Sequence, residues 1–365
     1  MTDDISLLER DIRRRIAAAG PMPVAEYMAL CLGHPQHGYY MTRDPFGARG
    51  DFITAPEISQ MFGELIGLWM AAVWKQLGAP SEVRVIELGP GRGTLMRDAL
   101  RAAQVMPGFG AAARVHLVEI SPVLRAMQEQ TLAGTAVTWH ANLNEVPDGI
   151  SIVVANEFFD ALPINQAVKH RKGWYERQIG IDSNGNLAFT VAPEPLPHFE
   201  RLLPAALRSA EEGAIFEWRA DGAAMDLGRR LARQGGAALT IDYGHVESAA
   251  GETLQAVGQH AYADPLTAPG ALDLTAHIDF QALARAVEAM GAIAFGPLTQ
   301  AEFLRRLGIE TRAATLKAKA DARKAAEVDA ALARLIGRGN REMGTLFKVA
   351  AYANRALGRP PGFES

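Results

Sequence analysis

The ten residues VIELGPGRGT at positions 85–94 constrain this chain more than any other stretch. An apolar run enters three glycines spaced G-x-G-x-G, and after Thr94 come the helix formers Leu95, Met96, Ala99 and Leu100. Without Cβ atoms the backbone can turn sharply there and lay its N–H groups against a ligand. The helix opened by Thr94 points its unsatisfied donors into the same space. Strand, turn and helix form the first third of a nucleotide-binding unit, although a glycine triplet alone also suits any flexible strand-to-helix turn. The spacing differs from the G-x-G-x-x-G of dinucleotide dehydrogenases, and Glu87, two residues before Gly89, would repel a pyrophosphate. S-adenosylmethionine (SAM) has no phosphate but carries an ammonium and a sulfonium, and a carboxylate suits both. The charge pattern therefore favours SAM over NAD, with Glu87, Gly89, Gly91, Gly93 and Thr94 as cofactor-binding candidates.

The following segments continue an α/β pattern. RVHLVE at 114–119 alternates toward the acid Glu119, and Ser121-Pro122 caps and starts a helix. Glu119 is placed to hold ribose hydroxyls, at a gap from the glycines lengthened by the loop MPGFG at 106–110. A third strand, AVTWH at 136–140, ends near Asn142 and Leu143, the candidates for an adenine edge and its apolar shelf. The fourth, ISIVVA at 150–155, delivers NEFFDALP (156–163) to the carboxyl edge of the sheet, where chemistry gathers in open α/β folds. Asn156 offers an amide, Glu157 and Asp160 carboxylates, and Phe158 and Phe159 a wall against water. Each acid alone could be a turn cap, but together they exceed what a cap needs. GAALTI at 236–241 reads as the fifth strand, with Tyr243 beyond it as a channel residue, and strands near 291–295 and 345–350 complete the sheet.

Together with GDFIT (50–54), PEISQ (56–60), IDYG (241–244), TLQA (253–256) and DLTAHIDF (273–280), these blocks resemble the MidA-like family of SAM-dependent methyltransferases over roughly residues 20 to 350. The resemblance implies a class I SAM-methyltransferase fold, a Rossmann-like doubly wound α/β sheet. It also implies a protein-arginine methyltransferase that aids assembly of respiratory complex I, with a quinone-module subunit as acceptor. A guanidinium is protonated at neutral pH, so carboxylates must orient it and favour proton loss as it is methylated. Glu157 is the first choice for that role, with Asp160 and Asn156 assisting. By analogy with arginine methyltransferases generally, Tyr39 and Tyr40, in the glycine-punctuated segment 34–52, fold over the methyl donor as a lid, core packing being the alternative for Tyr39. A small-molecule methyltransferase and a SAM-binding assembly factor without turnover stand as rivals, and an NAD oxidoreductase as a distant third.

Composition bounds the partners. A chain of 365 residues, 48% hydrophobic, can bury a large core and carry additions. Its formal charge of −4 supplies no general attraction to nucleic acid. No apolar run reaches the 18 or so residues of a membrane span, so no membrane insertion is expected. Residues 1–20 mix Asp3, Asp4, Glu9 and Asp11 with arginines, unlike a signal or transit peptide, and a cytoplasmic location is expected. Cys31 is the sole cysteine, and neither His34 with His37 nor Asp264, Asp273, His277 and Asp279 reads as a ligand set, so no metal is expected. The resemblance implies a protein acceptor as partner, a complex I subunit among the candidates, and a homodimer is compatible with the chain. The expected divisions are a helical region and lid at 1–80, and a SAM-binding core at 81–245 with an inserted hairpin near 165–195. Substrate-side loops and helices follow at 246–343, including a core strand near 291–295, then a final strand and tail at 344–365. The basic helices at 299–337 read as a solvated face rather than a docking surface.

Overall fold

A computed structural model describes residues 5–45, 53–339 and 342–364. Its central sheet is built from Val83–Leu88 (β1), Ala113–Val118 (β2), Val137–His140 (β3), Ser151–Asn156 (β4), Gly236–His245 (β5), Ile293–Thr299 (β6) and Phe347–Ala353 (β7). The order is β6-β7-β5-β4-β1-β2-β3, and Ile278–Asp279 pairs with the end of β5. All neighbours on this path run parallel except β7, which is antiparallel to both β5 and β6. This is the Rossmann-like doubly wound arrangement that the sequence resemblance implies. The order reverses between β1 and β4, so their carboxyl ends frame the crevice in which such folds bind ligands.

β4 is buried at every residue because helices cover both faces of the sheet, which accounts for its continuous rather than alternating apolar run. Val85, Ile152 and Val154 pack toward Gln60–Gln76 (α1) and Thr94–Ala103 (α2). Ile86, Val153 and Ala238 pack toward Gly222–Gln234 (α4) and Phe280–Ala289 (α5), while Pro122–Thr131 (α3) follows β2. A Cβ on Gly67 of α1 would lie 2.1 Å from the Ala99 carbonyl oxygen, so only glycine lets α1 approach the backbone of α2 this closely. The helix that carries the glycine turn is thereby held against the core.

Two further sheets sit beside this one. The hairpin expected near 165–195 is present as Gly173–Ile181 and Leu187–Pro195, but it belongs to a five-stranded sheet completed by Met22–Pro23, Ile164–His170 and Ile215–Arg219. Residues 246–280, read from sequence as loops, contain a three-stranded sheet of Ala261–Ala263, Gln255–Gly258 and Asp273–Thr275 in that order. In the N-terminal region Leu8, Ile12 and Ile16, and Val24, Met28 and Cys31, recur at helical spacing and are buried along Leu7–Ala19 and Val24–Gly33. They pack on these added sheets, against Ile164, Ile179, Leu254 and Leu274, rather than on the central one.

Candidate active site

The glycine turn leaves β1 at Leu88, with Gly89, Gly91 and Gly93 all in the left-handed region at φ 60°, 54° and 80°. Gly89 donates its N–H to the Val118 carbonyl at 3.0 Å, which ties the turn to the end of β2. Side chains from distant segments then brace it. The Thr94 hydroxyl donates to Glu57 at 2.5 Å, and Arg92 pairs with Asp44 at 2.6 Å and with Glu57 at 3.5 Å. Gln128 of α3 donates from its amide nitrogen to the Gly91 carbonyl at 2.7 Å and to Glu119 at 3.2 Å, and accepts from the Trp139 indole at 2.8 Å. Glu119 also accepts from the Ser121 N–H at 2.8 Å. One glutamine thus fixes the acid at the end of β2 relative to the glycines.

Glu87 is 3% exposed, and its Oε2 has no hydrogen-bond partner. Burial pushes its carboxyl up to about 8, opposed by one bond from the Met96 N–H. Burial likewise raises Glu119. A buried acid with an open oxygen fits a cationic ligand, since such a ligand would supply the missing partner and restore the charged form.

The second half of the site comes from the paired ends of β4 and β5, where Asn156 lies opposite Ile241. Glu157 sits at φ 50°, a strained conformation for a side-chain-bearing residue, held by its N–H bond to the Ile241 carbonyl at 2.9 Å. Its Oε1 receives the Asn156 amide at 3.3 Å and the Ala55 N–H at 3.4 Å. Burial first, then the neighbouring Asp160 charge, raises its carboxyl to about 8. Asp160 accepts the Tyr243 hydroxyl at 2.6 Å on one oxygen, and the other oxygen is buried without a partner, as is Oδ1 of Asn156. Asp242, fully buried, holds the loop by accepting the Phe159 and Asp160 N–H groups at 3.2 Å each, and burial raises its carboxyl well above the usual range.

Arg219, on Ile215–Arg219, underpins this loop. It donates to the carbonyls of Leu162 (3.2 Å), Asp160 (3.1 Å), His277 (2.7 Å) and Ala276 (2.5 Å), joining the β4 loop to the three-stranded sheet. Sequence reasoning missed Arg219, Asp242 and Gln128 as site-building residues. Gln128 reaches the Gly91 carbonyl across 37 residues, Asp242 the Phe159 N–H across 83 and Arg219 the Asp160 carbonyl across 59, and no local motif signals such pairings.

Glu87, Gly89, Gly91, Thr94, Glu119, Asn156, Glu157 and Asp160 all line one cavity of about 600 Å³, joined by Tyr40, Tyr243, Asp273 and His277. Four of the sequence candidates, Tyr39, Gly93, Asn142 and Leu143, do not line it. Tyr39 is fully buried in the core beside the N-terminal helices; in the turn Tyr39–Thr42 successive side chains diverge by about 100°, so Tyr39 faces the core and Tyr40 the cavity. Asn142 is exposed and caps the short turn Leu143–Glu145, accepting from the Asn144 N–H and donating to Glu145, and Leu143 packs in the core. Gly93 lies behind the cavity wall, against Leu132 and Gln128. Of the lid segment, residues 46–52 lie outside the described residues, while Ile53 and Thr54 line the cavity.

A family model described as "Putative S-adenosyl-L-methionine-dependent methyltransferase" matches residues 65–298. The chain belongs to this family. Over 345 residues the methyltransferase is 39% identical to the Drosophila melanogaster "Protein arginine methyltransferase NDUFAF7 homolog, mitochondrial", an alignment covering 86% of this chain and 77% of that protein. The Homo sapiens "Protein arginine methyltransferase NDUFAF7, mitochondrial" is 37% identical over 347 residues, covering 86% and 76%. A crystal structure from Burkholderia thailandensis, bound to S-adenosyl-homocysteine, matches with a TM-score of 0.84 at 31% identity, covering 98% of this chain and 92% of that one. SAM is accordingly the cofactor of this methyltransferase, and the NAD reading falls. The cytoplasmic expectation also falls, because these curated relatives are mitochondrial proteins. Glu9 and Asp11, among the acids on which that expectation rested, pair with Arg13, Arg14 and Arg15 on the surface of the helix Leu7–Ala19. Among the described residues no helix is long and apolar enough to cross a membrane.

Proposed function

We propose that this methyltransferase acts on a guanidino nitrogen of an arginine in a protein acceptor. The observation that carries the reading is the set of carboxyls in the cavity walls, Glu57, Glu87, Glu119, Glu157, Asp160 and Asp273 against Arg92, itself paired with Asp44 and Glu57. Such walls favour a cationic donor together with a cationic acceptor and oppose anionic ones. The names of the relatives, protein arginine methyltransferases, support the same choice.

When bound, SAM supplies an electrophilic methyl on its sulfonium. We assign Glu87, the glycine-turn amides and Thr94 to its amino-acid end, Glu119 to its ribose, and Tyr40 to the wall that closes over it. Glu157 has the acceptor's side. Its carboxyl, raised to about 8 by burial and Asp160, gives up its proton when a guanidinium enters, and the pair then fixes one guanidino nitrogen in orientation. As the N–CH₃ bond forms and the S–CH₃ bond breaks, that nitrogen must lose a proton, which Glu157 receives. Asp160, anchored by Tyr243, and Asn156 hold Glu157 and the guanidinium in register. Phe158 and Leu162 line the same cavity and limit water.

Glu157→Gln tests this: SAM affinity should stay within about threefold, while turnover falls by about a hundredfold or more. A variant that keeps both SAM binding and full arginine methylation would remove Glu157 from the mechanism. The resemblance of the sequence blocks extends the proposal to a subunit of the complex I quinone module as acceptor. Identical arginine methylation of complex I with and without the enzyme would overturn that extension.

A further inference from the structure

Gln255, Val257, Tyr262, Asp273 and Thr275 of the three-stranded sheet line the cavity together, and the strand register explains why. Thr275 lies opposite Gln255, while Asp273 lies opposite Val257, which in turn lies opposite Tyr262. Residues directly opposed in antiparallel strands share a face. The intervening Ala256 and Leu274 point the other way, into the core with the N-terminal helices. One face of this sheet is therefore a cavity wall, and the row Asp273, Val257, Tyr262 crosses it over about 10 Å, two inter-strand spacings.

The two ends of the row differ. Its inner end is acidic: Asp273 is 4% exposed, accepts the Tyr40 hydroxyl at 2.8 Å and adds its charge to the field at Glu157. The outer end is open. Ala261–Ala263 is exposed at all three positions, with Tyr262 at 79%, and among the described residues it pairs on one side only, with Gln255–Gly258. Gln259 and His260 join those strands at φ 50° and 60°, a two-residue left-handed turn built without glycine. Leu346 lines the same cavity yet is 46% exposed. The edge leaves main-chain N–H and C=O groups beside the cavity mouth, next to an exposed aromatic ring, where an extended chain could pair with them.

We propose that the acceptor protein docks by adding an extended segment to the edge strand Ala261–Ala263, its apolar residues on Tyr262 and Leu346, so that its arginine reaches along the row to Asp273 and Glu157. This rests on the arginine reading and names what surrounds the arginine: an extended, proline-free stretch with apolar or β-branched flanks, whose main chain supplies the bonds that the edge lacks. The acidic inner end selects the cation, and the apolar outer end selects its neighbours.

The test uses the protein that becomes labelled when the full-length enzyme and labelled SAM are added to extract of a strain lacking the enzyme. Tyr262→Ala should raise KM for that purified acceptor about tenfold, with kcat and SAM affinity within about twofold of the parent. In peptides of its sequence spanning the labelled arginine, proline placed beside the arginine should abolish methylation, whereas serine at the same places should not. Arginine labelling with an unchanged KM for Tyr262→Ala and full tolerance of proline overturns the docking mode and leaves the arginine reading standing. Labelling confined to some other residue type overturns both.

Discussion

Glu87→Gln separates what the fold requires from what the cofactor requires. Glu87 is 3% exposed, and burial lifts its carboxyl from the ordinary 4.5 to about 8. The folded protein therefore holds this proton more tightly than the unfolded chain does. The associated stability is fully present below 4.5 and is lost as pH rises through about 8. At about 1.4 kcal/mol per pH unit, that interval corresponds to about 5 kcal/mol as an upper bound, and relaxation and water entry reduce it to roughly 2 kcal/mol. Glutamine keeps the shape and cannot ionise. In guanidinium chloride unfolding of the SAM-free protein, the variant should gain about 2 kcal/mol on the parent between pH 5 and pH 9. The other buried acids titrate in both proteins and cancel in the difference. Calorimetric SAM affinity should move the opposite way, falling tenfold to a hundredfold at pH 7, the equivalent of losing one charge-assisted hydrogen bond of about 1.5–3 kcal/mol. A stability gap that stays flat across this pH range, or SAM affinity that does not fall, would refute the assignment of Glu87 as a buried acid kept for a cation.

Three other outcomes follow from the same geometry. Gly89→Ala places a methyl 2.9 Å from Cδ2 of Phe158 at a residue with φ 60°, so SAM affinity should fall at least about tenfold and stability by about 1–3 kcal/mol, read by titration and thermal unfolding. Arg219→Met removes the donor from the Leu162, His277 and Ala276 carbonyls and leaves the Asp160 carbonyl only the Ala276 N–H, and chemical unfolding should report a loss of about 3–5 kcal/mol. The pH profile of kcat/KM for the acceptor should rise through a limb displaced well above the ordinary carboxylate range, because protonated Glu157 cannot pair with a guanidinium; the limb should vanish in Glu157→Gln.

How much of this was legible beforehand depended on how local each signal was. The turn at Gly89 to Thr94, the acid closing β2 and the block from Asn156 to Asp160 could be read directly, since each is a strand end followed by residues with a stated conformational or chemical bias. Tyr40 could be singled out but not separated from Tyr39, because the geometry of one helical turn decides which ring meets the core. Asn142 and Leu143 lie outside the cavity lining, and a polar-apolar pair after a strand suits the capped turn found there as well as an adenine edge. Gln128, Asp242 and Arg219 were invisible for a different reason: each acts on backbone brought near only by the finished fold. The three-stranded sheet was hidden by strands of three and four residues, too short for alternation to register.

The central claim is that an arginine receives the methyl group in a cavity whose walls are built for two cations. The most direct measurement is the chemical identity of the labelled residue after labelled SAM and the enzyme are added to extract of a strain lacking it, followed by hydrolysis of the labelled protein and mass spectrometry of its amino acids. The account predicts label on a guanidino nitrogen of arginine, absent when Glu157→Gln replaces the parent enzyme. Label on lysine, on a carboxyl group or only on small molecules would contradict it.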